Sequence, residues 1–211
     1  MIQLPWKAQN GGKVNISLVA DAMTAMEKAG RVTPFCAAAI RMLLFTGARR
    51  NEILTLKWSY IDLEQGVARL PDSKTGFKVL HLPAAAMEIL ESLESLPQTS
   101  EWCFPSVSTT GHVVNLKRAW QTILKEAGLS GWRIHDLRHA FASMMVNSGA
   151  SLPIVGKILG HTQASTTARY AHLEENPAHL AAEAAAQQIA KAAATPPQRK
   201  IIQLRRAGND S

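Results

Sequence analysis

Cysteine is scarce in this 211-residue chain: Cys36 and Cys103 are the only two, and they are far apart. A disulfide scaffold is therefore excluded, and both thiols are expected reduced and buried, Cys36 in an apolar run and Cys103 between Trp102 and Phe104. No His, Cys, Asp or Glu group has the spacing of metal ligands, so no metal is expected. Long apolar runs are missing too. PFCAAAIRMLLF is broken by Arg41 and is too short to span a bilayer. The opening MIQLPWKAQNGG lacks a charged region followed by an apolar one, so no signal peptide is read there. These absences predict a soluble protein of the reducing cytoplasm, with no membrane partner.

Acidic residues are in deficit. Sixteen Asp and Glu face 23 Lys and Arg, for a net charge of +7. Residues 1–60 and 131–172 are basic, whereas 61–130 is slightly acidic. Such a balance is compatible with a polyanionic partner without proving one.

What is present is mostly helical periodicity. Residues 1–15 read as a polar lead-in or linker. Ser17 is placed to cap a first helix with Leu18, Val19, Ala22, Met23 and Met26 as its buried stripe and Gly30 as its stop. Thr33-Pro34 opens a buried helix that ends at Thr46-Gly47. A short helix carrying Glu52 follows. WSYIDLEQGVARL, PDSKTG and FKVLHLP then read as short strands, with Lys74-Thr75-Gly76 at a hairpin tip. Helices return over 84–95, 113–127 and 135–147, then from Ser151 to Gly160, and over one or two turns from Thr162 to His172. The fold class is mainly α with a small antiparallel β-sheet. Residues 178–194 are rich in Ala, the best helix former, and 196–211 read as a flexible basic tail.

Five stretches carry unusual chemistry. TGARRNEIL places Arg49 at a helix start with Glu52 one turn on, able to hold its guanidinium. SKTGFK puts Lys74 on a tight turn. WRIHDLRHAF stacks His135, Arg138 and His139 on one face of a helix, an arrangement suited to an anion. ILGH sets His161 on the turn after Gly160. TARYAHL holds Tyr170, nine residues further, one of two tyrosines in the chain. Each stretch alone has an ordinary structural explanation.

Taken in order, T-G-x-R-x-x-E, a hairpin Lys, H-x-L-R-H, L-G-H and Tyr nine residues later resemble the tyrosine recombinases, the phage integrase family. The likeness extends over LTLKWSYID, LHLP and YAHL and covers residues from about 15 to 180. It implies a tyrosine recombinase catalytic-domain fold over 16–176, preceded by the lead-in and followed by an Ala-rich helix (177–195) that docks in cis or on a neighbour. It also implies cleavage of double-stranded DNA by a tyrosine hydroxyl, through a 3′-phosphotyrosyl intermediate, without metal, ATP or other cofactor.

The implied roles map onto this sequence by motif. Arg49 and Arg138 match the family's arginine pair, which grips phosphate oxygens. Lys74 and His135 fall on the acid–base positions, Lys74 protonating the leaving 5′ oxygen and His135 assisting Tyr170 or bonding the phosphate. His161 donates to a non-bridging oxygen and Tyr170 is the nucleophile. Glu52 orients Arg49. His139 is assigned packing and hydrogen bonding. Arg50 and Lys78 are assigned contacts with DNA. Arg50, Asn51 and Gly156 depart from the family's usual residues, and Gly156 weakens the helix before L-G-H.

Relatives work as a ring of four on two duplexes and carry a further helical domain upstream, for which there is no room here. A fragment or reduced family member is therefore expected. Two rival readings share parts of the pattern: a type IB topoisomerase-like enzyme, and a DNA-binding regulator that does not cut.

Overall fold

The computed structural model describes residues 2–3, 13–14, 16–73, 76–96, 100–107, 109–173 and, further on, 182, 185–187 and 189–190. The chain divides into two compact units, Met1–Glu175 and Asn176–Ser211. In the second, the described residues are helical and exposed, Ile189 among them. The basic tail lies outside the described residues.

The first unit opens with an antiparallel ladder of β1 (Ile2–Gln3) and β2 (Lys13–Val14). This ladder falls within the stretch expected to be a lead-in. Helix α1 (Ile16–Lys28) starts one residue before the expected Ser17 cap. Its buried stripe is Val19, Ala22, Met23 and Met26, spaced i, i+3, i+4, i+7. Leu18 falls off that stripe and is 43% exposed, contrary to expectation.

Helix α2 (Pro34–Thr46) is the centre of the unit. Thr33 caps it by accepting from the Cys36 amide at 3.3 Å, with Pro34 in the first turn. Ala37, Ala38, Ala39, Ile40, Met42, Leu43 and Leu44 are all buried. The alanines let neighbours approach closely, and α2 packs against α1 and against the next four α-helices along the chain, described below. Cys36 is half-buried rather than buried, whereas Cys103 is fully buried, and that burial raises its thiol pKa. Gly47 ends α2 in the left-handed region, φ 61°, donating its N–H to Leu43 O.

After α3 (Arg50–Leu54) and a 3₁₀ turn comes a three-stranded antiparallel sheet. Its strands are β3 (Ile61–Asp62), β4 (Val67–Ser73) and β5 (Gly76–His81), in that order. The register pairs Ala68 with Leu80 and Leu70 with Lys78. Helix α4 (Ala84–Glu94) follows, then α5 (Lys117–Glu126), whose Trp120 indole donates to Trp132 O at 3.0 Å. Helix α6 (Asp136–Asn147) packs on α2. Its first residue, Asp136, is 1% exposed and accepts from the Arg133 amide and guanidinium. Helix α7 (Leu152–Leu159) runs from Ser151 to a left-handed Gly160. Helix α8 (Ala164–Ala168) is short, and Tyr170 follows it, just before a 3₁₀ turn over Ala171–Leu173.

Most of the buried apolar side chains form one core around α2. A smaller cluster joins Ala142, Val146, Val155, Leu159 and Tyr170. Tyr170, singled out in the sequence, belongs to this second cluster.

Candidate active site

The two arginines are brought together by backbone carbonyls. Arg138 is 5% exposed and donates from its two terminal nitrogens to Gly47 O and Leu159 O, both at 2.7 Å. Arg49 donates to Gly160 O at 3.0 Å. The guanidiniums therefore hold consecutive carbonyls, Leu159 and Gly160, at the end of α7. Those carbonyls lack helical partners because Gly160 turns the chain out of the helix. Burial pushes Arg138 down to about 10, and the neighbouring Arg49 charge adds to the effect.

Glu52 binds Arg49 as the sequence suggested. Its carboxylate accepts from the Arg49 amide and from the Arg49 guanidinium, each at 2.9 Å. It also accepts from Lys78 Nζ at 2.7 Å, an ion pair in which both side chains are nearly inaccessible. Burial alone would raise the Glu52 carboxyl, but the hydrogen bonds from Lys78 and Arg49 outweigh it and hold it below its ordinary value. Lys78 moves down, chiefly through burial. The sequence reading gave Lys78 a contact with DNA. Instead it is 8% exposed and turned inward onto Glu52, because period-two alternation along β5 puts it on the face of Leu80. Lys74 lies outside the described residues. Arg50 is exposed and bonds Asn51.

His135 stands at the head of α6 and is exposed, its ring edge-on to His139 with centroids 5.0 Å apart. Loss of water around the ring, then the Arg138 charge, lowers its pKa. His161 hangs from the Gly160 turn, and its Nδ1 lies 2.8 Å from Thr167 Oγ1. Burial, followed by Arg138 and Arg49, brings His161 to about 4. In both rings, burial first and then the neighbouring cations favour the neutral form.

Tyr170 is 1% exposed. Its hydroxyl is hydrogen-bonded to His139 Nδ1 at 2.6 Å. Burial raises the phenol to about 12, although Arg169 and Arg138 pull the other way. Burial and the nearby His135 take His139 to about 4.

The sequence reading missed three features. Thr167 holds His161. Gly47 and Leu159 supply the carbonyls that aim Arg138. Lys78 faces the arginines; the alternation Phe77, Val79 against Lys78, Leu80 was the available signal for that. Among the described residues no group of three or more His, Cys, Asp or Glu is placed to hold a metal ion. No helix among them is long and apolar enough to cross a membrane.

A family model described as the phage integrase family matches residues 19–176. Prophage integrase IntF of Escherichia coli K12 is 31% identical over 132 residues, covering 61% of this chain and 28% of IntF. Tyrosine recombinase XerD of Vibrio cholerae is 32% identical over 148 residues, 64% of this chain and 48% of XerD. The chain spans about half the length, or less, of these curated relatives. Among solved structures, the XerA recombinase superposes with a TM-score of 0.62 at 22% identity, over 83% of this chain and 64% of XerA. The catalytic domain of bacteriophage HP1 integrase gives 0.61 at 20% identity, over 81% of this chain and 92% of that domain. At that identity the likeness speaks for the fold, which is the tyrosine recombinase catalytic-domain fold. With the family model spanning three quarters of its length, the chain belongs to the phage integrase family.

Proposed function

We propose that the protein is a tyrosine-type, site-specific DNA recombinase that cuts and rejoins strands through Tyr170. The observation that carries the reading is the pair of guanidiniums on Leu159 O and Gly160 O, beside His161, with Arg138 within electrostatic reach of Tyr170. Scattered segments of chain bring cations and neutral imidazoles to one place, which suits a phosphodiester.

The chemistry has three needs. The transition state gains negative charge on the non-bridging oxygens. Arg49 and Arg138 present planar, permanently charged forks to them. The leaving 5′ oxygen needs a proton, which Lys74 supplies. The phenol must lose one, and His135 assists by taking it or else hydrogen-bonds the phosphate. The Tyr170 oxygen attacks phosphorus as the bond to the 5′ oxygen breaks, and the reverse step with another 5′-hydroxyl rejoins the strand. Bond energy is conserved, so ATP is not needed, and the two guanidiniums supply the positive charge a metal ion would. Thr167 occupies Nδ1 of His161 and leaves Nε2 for a non-bridging oxygen. Glu52 orients Arg49, and Arg50 contacts the DNA backbone. The working assembly is a tetramer on two duplexes.

The test is a covalent trap. Duplexes nicked beside candidate cleavage sites lose the short 5′ fragment after attack, so the adduct accumulates. The native chain should give a denaturant-resistant protein–DNA adduct, and Tyr170→Phe none. No adduct on any duplex, with binding intact, would leave the non-cutting regulator. Exchange between two marked duplexes, rather than plasmid relaxation, separates a recombinase from a topoisomerase.

A further inference from the structure

Strand β5 is inverted relative to hydrophobicity. Phe77 is 66% exposed and Val79 39%, while Lys78 between them is 8% exposed. Lys78 shares its face with Leu80, which is 1% exposed, and pairs in register with Leu70. A lysine at a core-facing position is costly unless its charge is matched. The match here is Glu52, at 2.7 Å, the same carboxylate that holds the Arg49 amide and guanidinium. Lys78 also lies against the turn that carries His161: a Cβ on Gly160 would meet its Cε at 3.4 Å. One side chain thus touches the first arginine motif and the L-G-H turn, from the strand that leaves the hairpin tip.

We propose that Lys78 is a positioning residue that keeps Glu52 from neutralising Arg49. This inference rests on the transesterification reading above. Arg49, Arg138 and Lys78 share the single carboxylate of Glu52, so the cluster keeps two net positive charges for a phosphate. Without Lys78, the carboxylate has Arg49 as its remaining ion-pair partner and the surplus falls to one. Arg49 is then drawn onto Glu52 at the moment it is needed by the non-bridging oxygens.

The experiment compares native protein, Lys78→Met, Lys78→Arg and Lys74→Ala on three forms of a nicked duplex. One has the ordinary phosphate, one a bridging 5′-phosphorothiolate whose thiolate departs without a proton, and one a neutral methylphosphonate. Lys78→Met should slow single-turnover adduct formation at saturating DNA by about 100-fold, the scale of one lost electrostatic donor, while Lys78→Arg recovers most of the rate. The sulfur leaving group should rescue Lys74→Ala and not Lys78→Met. The methylphosphonate, with less charge to match, should bring Lys78→Met close to native. Rescue by sulfur would make Lys78 a proton donor and overturn the proposal. So would equal deficits on phosphate and methylphosphonate, the signature of a packing role. A second measurement needs no cleavage. Inorganic phosphate, at ionic strength held constant with chloride, should raise the melting temperature of the native chain more than that of Lys78→Met. Equal responses would refute the charge argument even if adducts form. A phosphate response that depends on Lys78, without any adduct from native protein, would count against the transesterification reading instead.

Discussion

The hydroxyl of Tyr170 and Nδ1 of His139 lie 2.6 Å apart in a site where each residue is nearly inaccessible, 1% and 7% exposed. The candidate nucleophile is therefore held by an imidazole on α6. Tyr170→Phe removes the hydroxyl and little volume. Loss of one hydrogen bond costs about 1 kcal/mol, or somewhat more where the partner is left unsatisfied. Melting curves should show a small loss of stability, whereas adduct formation should vanish. A variant that unfolds, or one that still forms adducts, would contradict the assignment.

The same pair makes stability depend on pH. The His139 ring is brought to about 4 in the folded protein, against an ordinary value of 6.5. Above that ordinary value both states are neutral and the ring contributes no slope. Between 6.5 and about 4 the unfolded chain binds a proton that the folded chain refuses, so stability falls as pH falls. Below that window both states are protonated and the loss levels off. Each tenfold change in proton affinity is worth about 1.4 kcal/mol, so the drop amounts to a few kcal/mol. His161, also at about 4, acts in the same direction. His139→Gln keeps a polar partner for Tyr170 but does not titrate. Its melting temperature should fall less steeply than that of the native chain across this window. Parallel curves would show that His139 does not titrate as described.

Arg138 is fixed by one N–H on each terminal nitrogen, which leaves the second on each for a phosphate oxygen. Its two terminal nitrogens bond Gly47 O and Leu159 O, and a lysine has one nitrogen for the two. Arg138→Lys should leave one buried carbonyl unpaired, at about 1–3 kcal/mol of stability. Adduct formation should fall by about 100- to 1,000-fold, since a point charge does not replace a planar fork aimed at two oxygens. A fall of less than tenfold in a folded variant would argue that the guanidinium is structural only.

How much of this was legible beforehand varies with the kind of signal. Helix α2 was marked by Thr33-Pro34, by an apolar middle interrupted at Arg41, and by Gly47, because caps and periodicity act locally. The motif residues were found through their order along the chain. What the sequence hid was partnership across long separations. Arg138 bonds a carbonyl 91 residues away, and Lys78 a carboxylate 26 residues away, and neither bond leaves a local trace. Lys78 was assigned a contact with DNA. The alternation along β5 pointed inward, and tertiary pairing with Glu52 made that position tolerable. Leu18 failed for the opposite reason: an apolar residue beside a stripe need not belong to it.

Gly47 joins the two arginine motifs. Its φ of 61° is one that L side chains resist, and an added Cβ would run into the Phe141 ring. The left-handed conformation costs an alanine about 1–2 kcal/mol, and overpacking about 1–3 more. Gly47→Ala should therefore lower stability by roughly 2–5 kcal/mol in denaturant titrations. It should also impair adduct formation, because the displaced carbonyl is the one Arg138 holds. A stable variant with native rates would show that this junction has slack.

Gly156 looks at first like a flaw in α7, since glycine inside a helix costs about 0.5–1 kcal/mol relative to alanine. Its place explains it. A Cβ there would come within 2.9 Å of Thr167 Oγ1, the atom that bonds His161 Nδ1. Gly156→Ala should gain helix propensity while pushing the threonine off the imidazole. Stability and activity should then part company: a melting temperature within a degree or two of native, or above it, beside adduct formation slowed at least tenfold, about the worth of one displaced hydrogen bond to a charged transition state. Thr167→Val, which removes the hydroxyl and keeps the volume, should show the same kinetic loss. Combined with Gly156→Ala, it should add little, because both changes break one contact. Fully additive losses would mean that Gly156 acts on catalysis by some route other than His161.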